Sequence, residues 1–133
     1  MTSSVLSIAA LCSIGACAAA PSVAPHSIEH TDCALVGIPT EILTTWRESE
    51  FKDQQTDQGA REFASCLRHP NPFLRDQIGY EGLTAALRSS AISKSTRREL
   101  IAQLSGDLKS HYSDGFLATF SALGLSDIVL TAS

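Results

Sequence analysis

The chain has 133 residues, 44% of them hydrophobic and 18% charged, with ten Lys+Arg against fourteen Asp+Glu for a net charge of −4. One ordinary domain accounts for that length, and the apolar content excludes wholesale disorder. No basic cluster exceeds the Arg97-Arg98 pair, so the stripe that displaces counterions from nucleic acid, or docks on anionic lipid, is missing.

The N-terminal third is uncharged as far as Glu29, and its first basic residue is Arg47. Val5 to Ile14 is an apolar run too short for a spanning helix of about 20 residues but fitting a secretory h-region of about 7–15. Small residues follow, Gly15-Ala16-Cys17-Ala18-Ala19-Ala20. We expect a signal peptide over 1–17 and an exported protein, periplasmic or membrane-anchored in a bacterial envelope. Ile14-Gly15-Ala16-Cys17 has the form of a lipobox, which would lipidate Cys17; plain cleavage near Ala18 to Ala20 is the alternative.

Residues 18–37 are rich in Ala, Ser, Pro and His and lack apolar period, so they are expected to form a flexible tether before a helical domain over 38–133. His26, His30 and Cys33 have a spacing that suits zinc, but Cys33 has a competing fate. Cys33 and Cys66 are the even pair left after the leader, and in an oxidising compartment they are expected to form a disulfide. No metal site or cofactor is predicted.

Thr40 is positioned to cap a helix over about 41–51 carrying Ile42, Leu43 and Trp46. Thr56 caps a second, 57–68, with Ala60, Phe63, Ala64 and Leu67 at helical spacing. His69-Pro70 ends it. Asn71-Pro72 starts a third, 72–89, its core side formed by Phe73, Leu74, Ile78, Leu83 and Leu87. Gly79, Gly82 and Ala86 share another strip, which predicts a neighbouring backbone lying close, because glycine inside a helix is costly. After Ser89-Ser90-Ala91, Thr96 and Glu99 form a capping box for a fourth helix, 97–110, striped with Leu100, Ile101, Leu104 and Leu108. A last helix, about 116–131, is apolar nearly all round (Phe116, Leu117, Phe120, Leu123, Leu125, Ile128, Val129, Leu130), with Asp127 its only charge. Such a helix must be covered on more than one face. The fold class is all-α: four to five helices in antiparallel pairs, with a period near two helices per roughly 40 residues, in the range of a HEAT-like stack.

Chemistry-bearing residues are sparse. Arg75, Asp76, Tyr80 and Glu81 sit close together on the third helix and are the weak catalytic candidates; Asp76 and Tyr80 are i, i+4 neighbours able to hydrogen-bond. Arg75 and Asp76 suit a structural role better, the arginine joining one helical unit to the next. His69 and His111 fall at helix ends, where a cation suits the helix dipole. No phosphate-cradling loop, nucleophile elbow, His-Glu-x-x-His or Cys-x-x-Cys motif is present in the sequence.

The stretch from His69 to Leu83, with Leu74-Arg75-Asp76 and Tyr80 after an Asn-Pro turn, resembles a bacterial family known as domain of unknown function 2785. Asp114-Gly115-Phe116, Phe120 and Leu123 stand where that family carries its second motif, so the resemblance spans about 57–130. It implies a HEAT-like helical array and no established activity. The family's later Trp-His-Ala and His-Ala-Asp patterns are absent from the sequence, which raises the reading of a shortened product. The leading expectation is an exported scaffold or binding module with an unknown protein partner, or self-association through the C-terminal helix. A small or degenerate hydrolase or metalloenzyme is the competing class. Nucleic acid is not an expected partner, and a membrane is met only through the Cys17 anchor.

Overall fold

The computed structural model describes residues 33–110 and 115–132. The predicted leader with Cys17, residues 18–32 of the tether including His26 and His30, and His111 and Asp114 lie outside the described residues, as does the Phe116 side chain. The described chain is all-α, with no strand: α1 (Thr40–Glu48), a 3-10 turn (Lys52–Gln54), α2 (Asp57–Cys66), a π-wound segment (Phe73–Tyr80) running into α3 (Glu81–Arg88), α4 (Lys94–Ser110) and α5 (Gly115–Leu130).

Local signals explain most boundaries. The Thr56 side chain accepts from Gly59 N–H and starts α2. Asn71 Oδ1 accepts from Phe73 N–H at 2.9 Å, and His69 Nδ1 accepts from Asn71 N–H at 3.1 Å, fixing the turn before the third helix. Two expected caps are corrected. Pro39, not Thr40, holds the N-cap of α1, its fixed φ suiting the entry. Ser93, not Thr96, caps α4: its Oγ accepts from Thr96 N–H at 3.2 Å. Thr96 is instead wholly buried and accepts from Arg61 Nη2 at 2.9 Å. α1 also stops at Glu48, sooner than expected, because Glu50 and Phe51 both take left-handed φ angles (55° and 56°). That sharp reversal drops the Phe51 ring into the core, edge-on to Phe63 with ring centroids 5.2 Å apart.

The core is one cluster. Leu43, Phe63, Leu67, Ile78, Leu83, Leu87, Leu100, Leu104 and Ile128 are fully buried. Phe73 and Leu74, expected at the core, are half-buried and packed against it. Cys33 is bonded to Cys66, and Cys33 and Leu35 are buried. Ala34 N–H donates to Ser65 Oγ at 2.9 Å. Residues 33–37, assigned to the tether by composition, therefore belong to the folded unit.

Helix directions follow from the contacts. A Cβ on Gly79 would stand 3.1 Å from Cys66 Cβ and from the Phe63 carbonyl oxygen, and one on Gly82 2.7 Å from the Phe63 ring. α2 and the third helix are thus antiparallel, and the expected close neighbour of the glycine strip is part backbone, part ring. α4 and α5 are antiparallel too: Arg97 near the start of α4 donates to Thr131 Oγ1 just beyond α5 at 2.7 Å, and Gly124 faces a Leu104 methyl. Like helices run the same way. Asp57 accepts from Ser93 N–H, Arg61 meets Glu99, and Arg68 pairs with Asp107, so α2 and α4 advance together. Tyr80 stacks near Phe120 with centroids 5.6 Å apart, and Thr84 donates to Asp127 at 2.9 Å, so α3 and α5 do likewise. Glu81 turns the other way, to Arg47 of α1, which leaves α3 between α1 and α5.

Candidate functional site

The structure does not gather the four candidate residues. Arg75 forks onto its own neighbour Asp76 (2.6 and 3.1 Å), with its guanidinium 5.5 Å from the centre of the Phe120 ring. Those groups, with Gly115 and Thr119, line one groove. Tyr80 does not bond to Asp76; its hydroxyl points to Asp127 at 3.5 Å. Glu81 holds Arg47 through two bonds, 2.6 and 3.0 Å, and its carboxylate raises the pKa of Arg47. The Asp76 and Glu81 carboxylates thus each accept from an arginine, while the Tyr80 hydroxyl shares the Asp127 carboxylate with Thr84. The Arg75–Asp76 pair joins neighbours on one helix, while the ring contact of Arg75 reaches α5.

Tyr80 and Glu81 belong to a separate open cleft of about 630 Å³, walled by Arg47, Glu50, Phe51, Thr84, Ala85 and Arg88 among others. It lies between the end of α1 and α3. Among the described residues no group of three or more His, Cys, Asp or Glu is placed to hold a metal ion, and the Cys33 sulfur is consumed by the disulfide. No helix among them is long and apolar enough to cross a membrane.

The most distinctive surface is the outer face of the α4–α5 pair. α5 turns Leu117, Ser121, Gly124 and Ile128 inward. On its free side lie Thr119, Ala122, Leu123, Ser126, Val129 and Leu130; Leu123 is 41% exposed, Val129 70% and Leu130 72%. α4 presents Lys94, Arg98, Ile101, Ser105 and Lys109 on its corresponding stripe, with Ile101 40% exposed. The acidic residues of α4 point elsewhere: Glu99 to Arg61 and Asp107 to Arg68. The α4–α5 pair thus exposes apolar side chains on α5 and a cationic row on α4. The C-terminal helix gave this face away in the sequence, by being apolar all round. The cationic row was missed, although its spacing of 4, 3, 4 and 4 residues could have revealed it.

Comparison of the chain with protein-family models, with curated proteins and with solved structures finds no match in any of the three.

Proposed function

We propose that the chain is an exported scaffold or binding module, a HEAT-like stack whose α4–α5 face docks a helical partner. The uncovered apolar face carries this reading. Val129 and Leu130 lie in water, and contiguous exposed apolar surface of this kind marks interaction sites. Parallel like helices in consecutive antiparallel pairs suit a repeat stack, in which each unit offers its neighbour a face it cannot cover alone. The resemblance at 69–83 and 114–123 points the same way. A buried disulfide fits an oxidising compartment, and the apolar run at 5–14 fits export. An enzymatic role draws less support, since the four candidate residues divide between two surfaces.

A photo-crosslinking residue at Val129, expressed in the native cell, should give a discrete adduct that the same residue at exposed Lys52 does not give. Equal labelling from both positions, or none from Val129, would reject the docking face. Export is tested by intact mass: protein retaining Met1 in the soluble cytoplasmic fraction rejects it. If Cys17 is lipidated, Cys17→Ser releases the protein from membranes.

A further inference from the structure

We propose that the occupant of the α4–α5 face is a second copy of this chain, docking head to tail through its α1; this rests on the scaffold reading above. The stack contains its own precedent. Arg61 lies five residues after the α2 cap Thr56, and Arg98 lies five residues after Ser93, the α4 cap. Arg61 reaches the following unit, donating to Glu99 at 2.9 Å and to Thr96 at 2.9 Å. Arg98 is exposed and has no hydrogen bond or ion pair among the described residues. It thus repeats the position of Arg61, its side chain having no partner among the described residues. Lys94 and Lys109 flank it on the same stripe.

The opposite end of the stack has the complementary charge. Glu41 and Glu48 lie on one stripe of α1, about two turns apart, both exposed, and neither carboxylate has a partner among the described residues. Ile42 (45% exposed) and Val36 (52%) supply apolar surface at that end. A cationic face with exposed apolar side chains and an acidic face with apolar neighbours therefore sit at the two ends of one molecule. Such a contact is heterologous: each docking leaves one free end of each kind, so assembly continues into a filament or closes as a ring. Opposed charge sets register and encounter rate, while the apolar side chains supply most of the affinity.

Sedimentation velocity on the purified, oxidised full chain tests this. The wild type should gain mass beyond a dimer with rising concentration, and less so at high salt, which screens exposed charge. Arg98→Glu and Glu48→Arg should each weaken association by at least about tenfold while circular dichroism shows an unchanged fold. Mixed together, these two variants offer two complementary junctions, the native one and the one in which both charges are reversed, so association should return. A wild type that stays monomeric overturns the proposal, as does association indifferent to both reversals, or a mixture that stays monomeric. Monomeric wild type with a Val129 adduct to a different protein overturns self-docking and leaves the scaffold reading intact; monomer without any adduct removes both.

Discussion

Asp57 shows what one side chain does in this fold. It opens α2, where a carboxylate suits the helix dipole, and its Oδ1 accepts from Ser93 N–H at 2.7 Å, joining the starts of α2 and α4. That N–H, then the Ser93 hydroxyl, hold the Asp57 pKa below its ordinary 3.8, with Thr96 and Arg61 adding to this and burial opposing it. A depressed folded pKa stabilises above the unfolded value and loses that contribution as pH falls through the folded one. Asp57→Asn should therefore melt below the wild type at neutral pH, with the gap closing as pH drops below the ordinary carboxylate range. A gap independent of pH would show that charge is not what Asp57 contributes. Thr56 was legible as a cap because an apolar stripe begins right after it. Ser93 was not, because Thr96-x-x-Glu99 satisfies the same local pattern; what separates them is tertiary, the Arg61 side chain holding both Thr96 and Glu99.

At the scale of elements, glycines report how closely helices approach. A Cβ at Gly82 would overlap the ring of Phe63, itself fully buried, whereas nothing lies within 4 Å of one at Gly106. Gly82→Ala should destabilise by about 1–3 kcal/mol through overpacking. Gly106→Ala, on an exposed helical site, should stabilise by up to about 1 kcal/mol. Urea titrations that move both midpoints the same way would contradict this account. The disulfide joins elements too. Cys33 and Cys66, 33 positions apart, tie the entry segment to the end of α2, and the chain-entropy model values such a loop at about 3–4 kcal/mol. Cys33→Ala with Cys66→Ala should lower the unfolding free energy by that order, an unchanged midpoint arguing that the bond does not form. The pairing was legible from cysteine arithmetic, but the folding of 33–37 was not, since that bond, Leu35 and the Ala34–Ser65 hydrogen bond anchor a stretch with no periodicity. α5 hid its faces for a different reason. Its contact with α4 is close enough to select Ser121 and Gly124 for the inside, leaving leucines outside, the reverse of what hydrophobicity alone suggests.

For the whole molecule, the all-α class, its turns and its near-40-residue spacing were legible because they depend on local period and caps. Observed offsets between like helices, such as 36 for Asp57 with Ser93 and 39 for Arg68 with Asp107, match that spacing. Which helix faces stay exposed was not legible, because it depends on how helices that are distant in sequence cover one another. Leu123 and Leu130, seven residues apart on α5, are both on the exposed side, at 41% and 72%. The adjacent pair Ile128 and Val129 separates an inward from an outward position, at 1% and 70% exposed. Ile128→Asp puts a charge into the core against α4 and should cost at least about 3–5 kcal/mol, enough to unfold a small domain or strip α5 from it. Val129→Asp puts the same charge into water and should change stability by no more than about 0.5 kcal/mol, yet lose the docking face. Thermal melts paired with sedimentation therefore discriminate between two causes for an apolar face. If Val129→Asp melts as early as Ile128→Asp, the face is core of this chain alone; if it melts with the wild type and no longer associates, the helix has one side built for its own fold and one for another molecule.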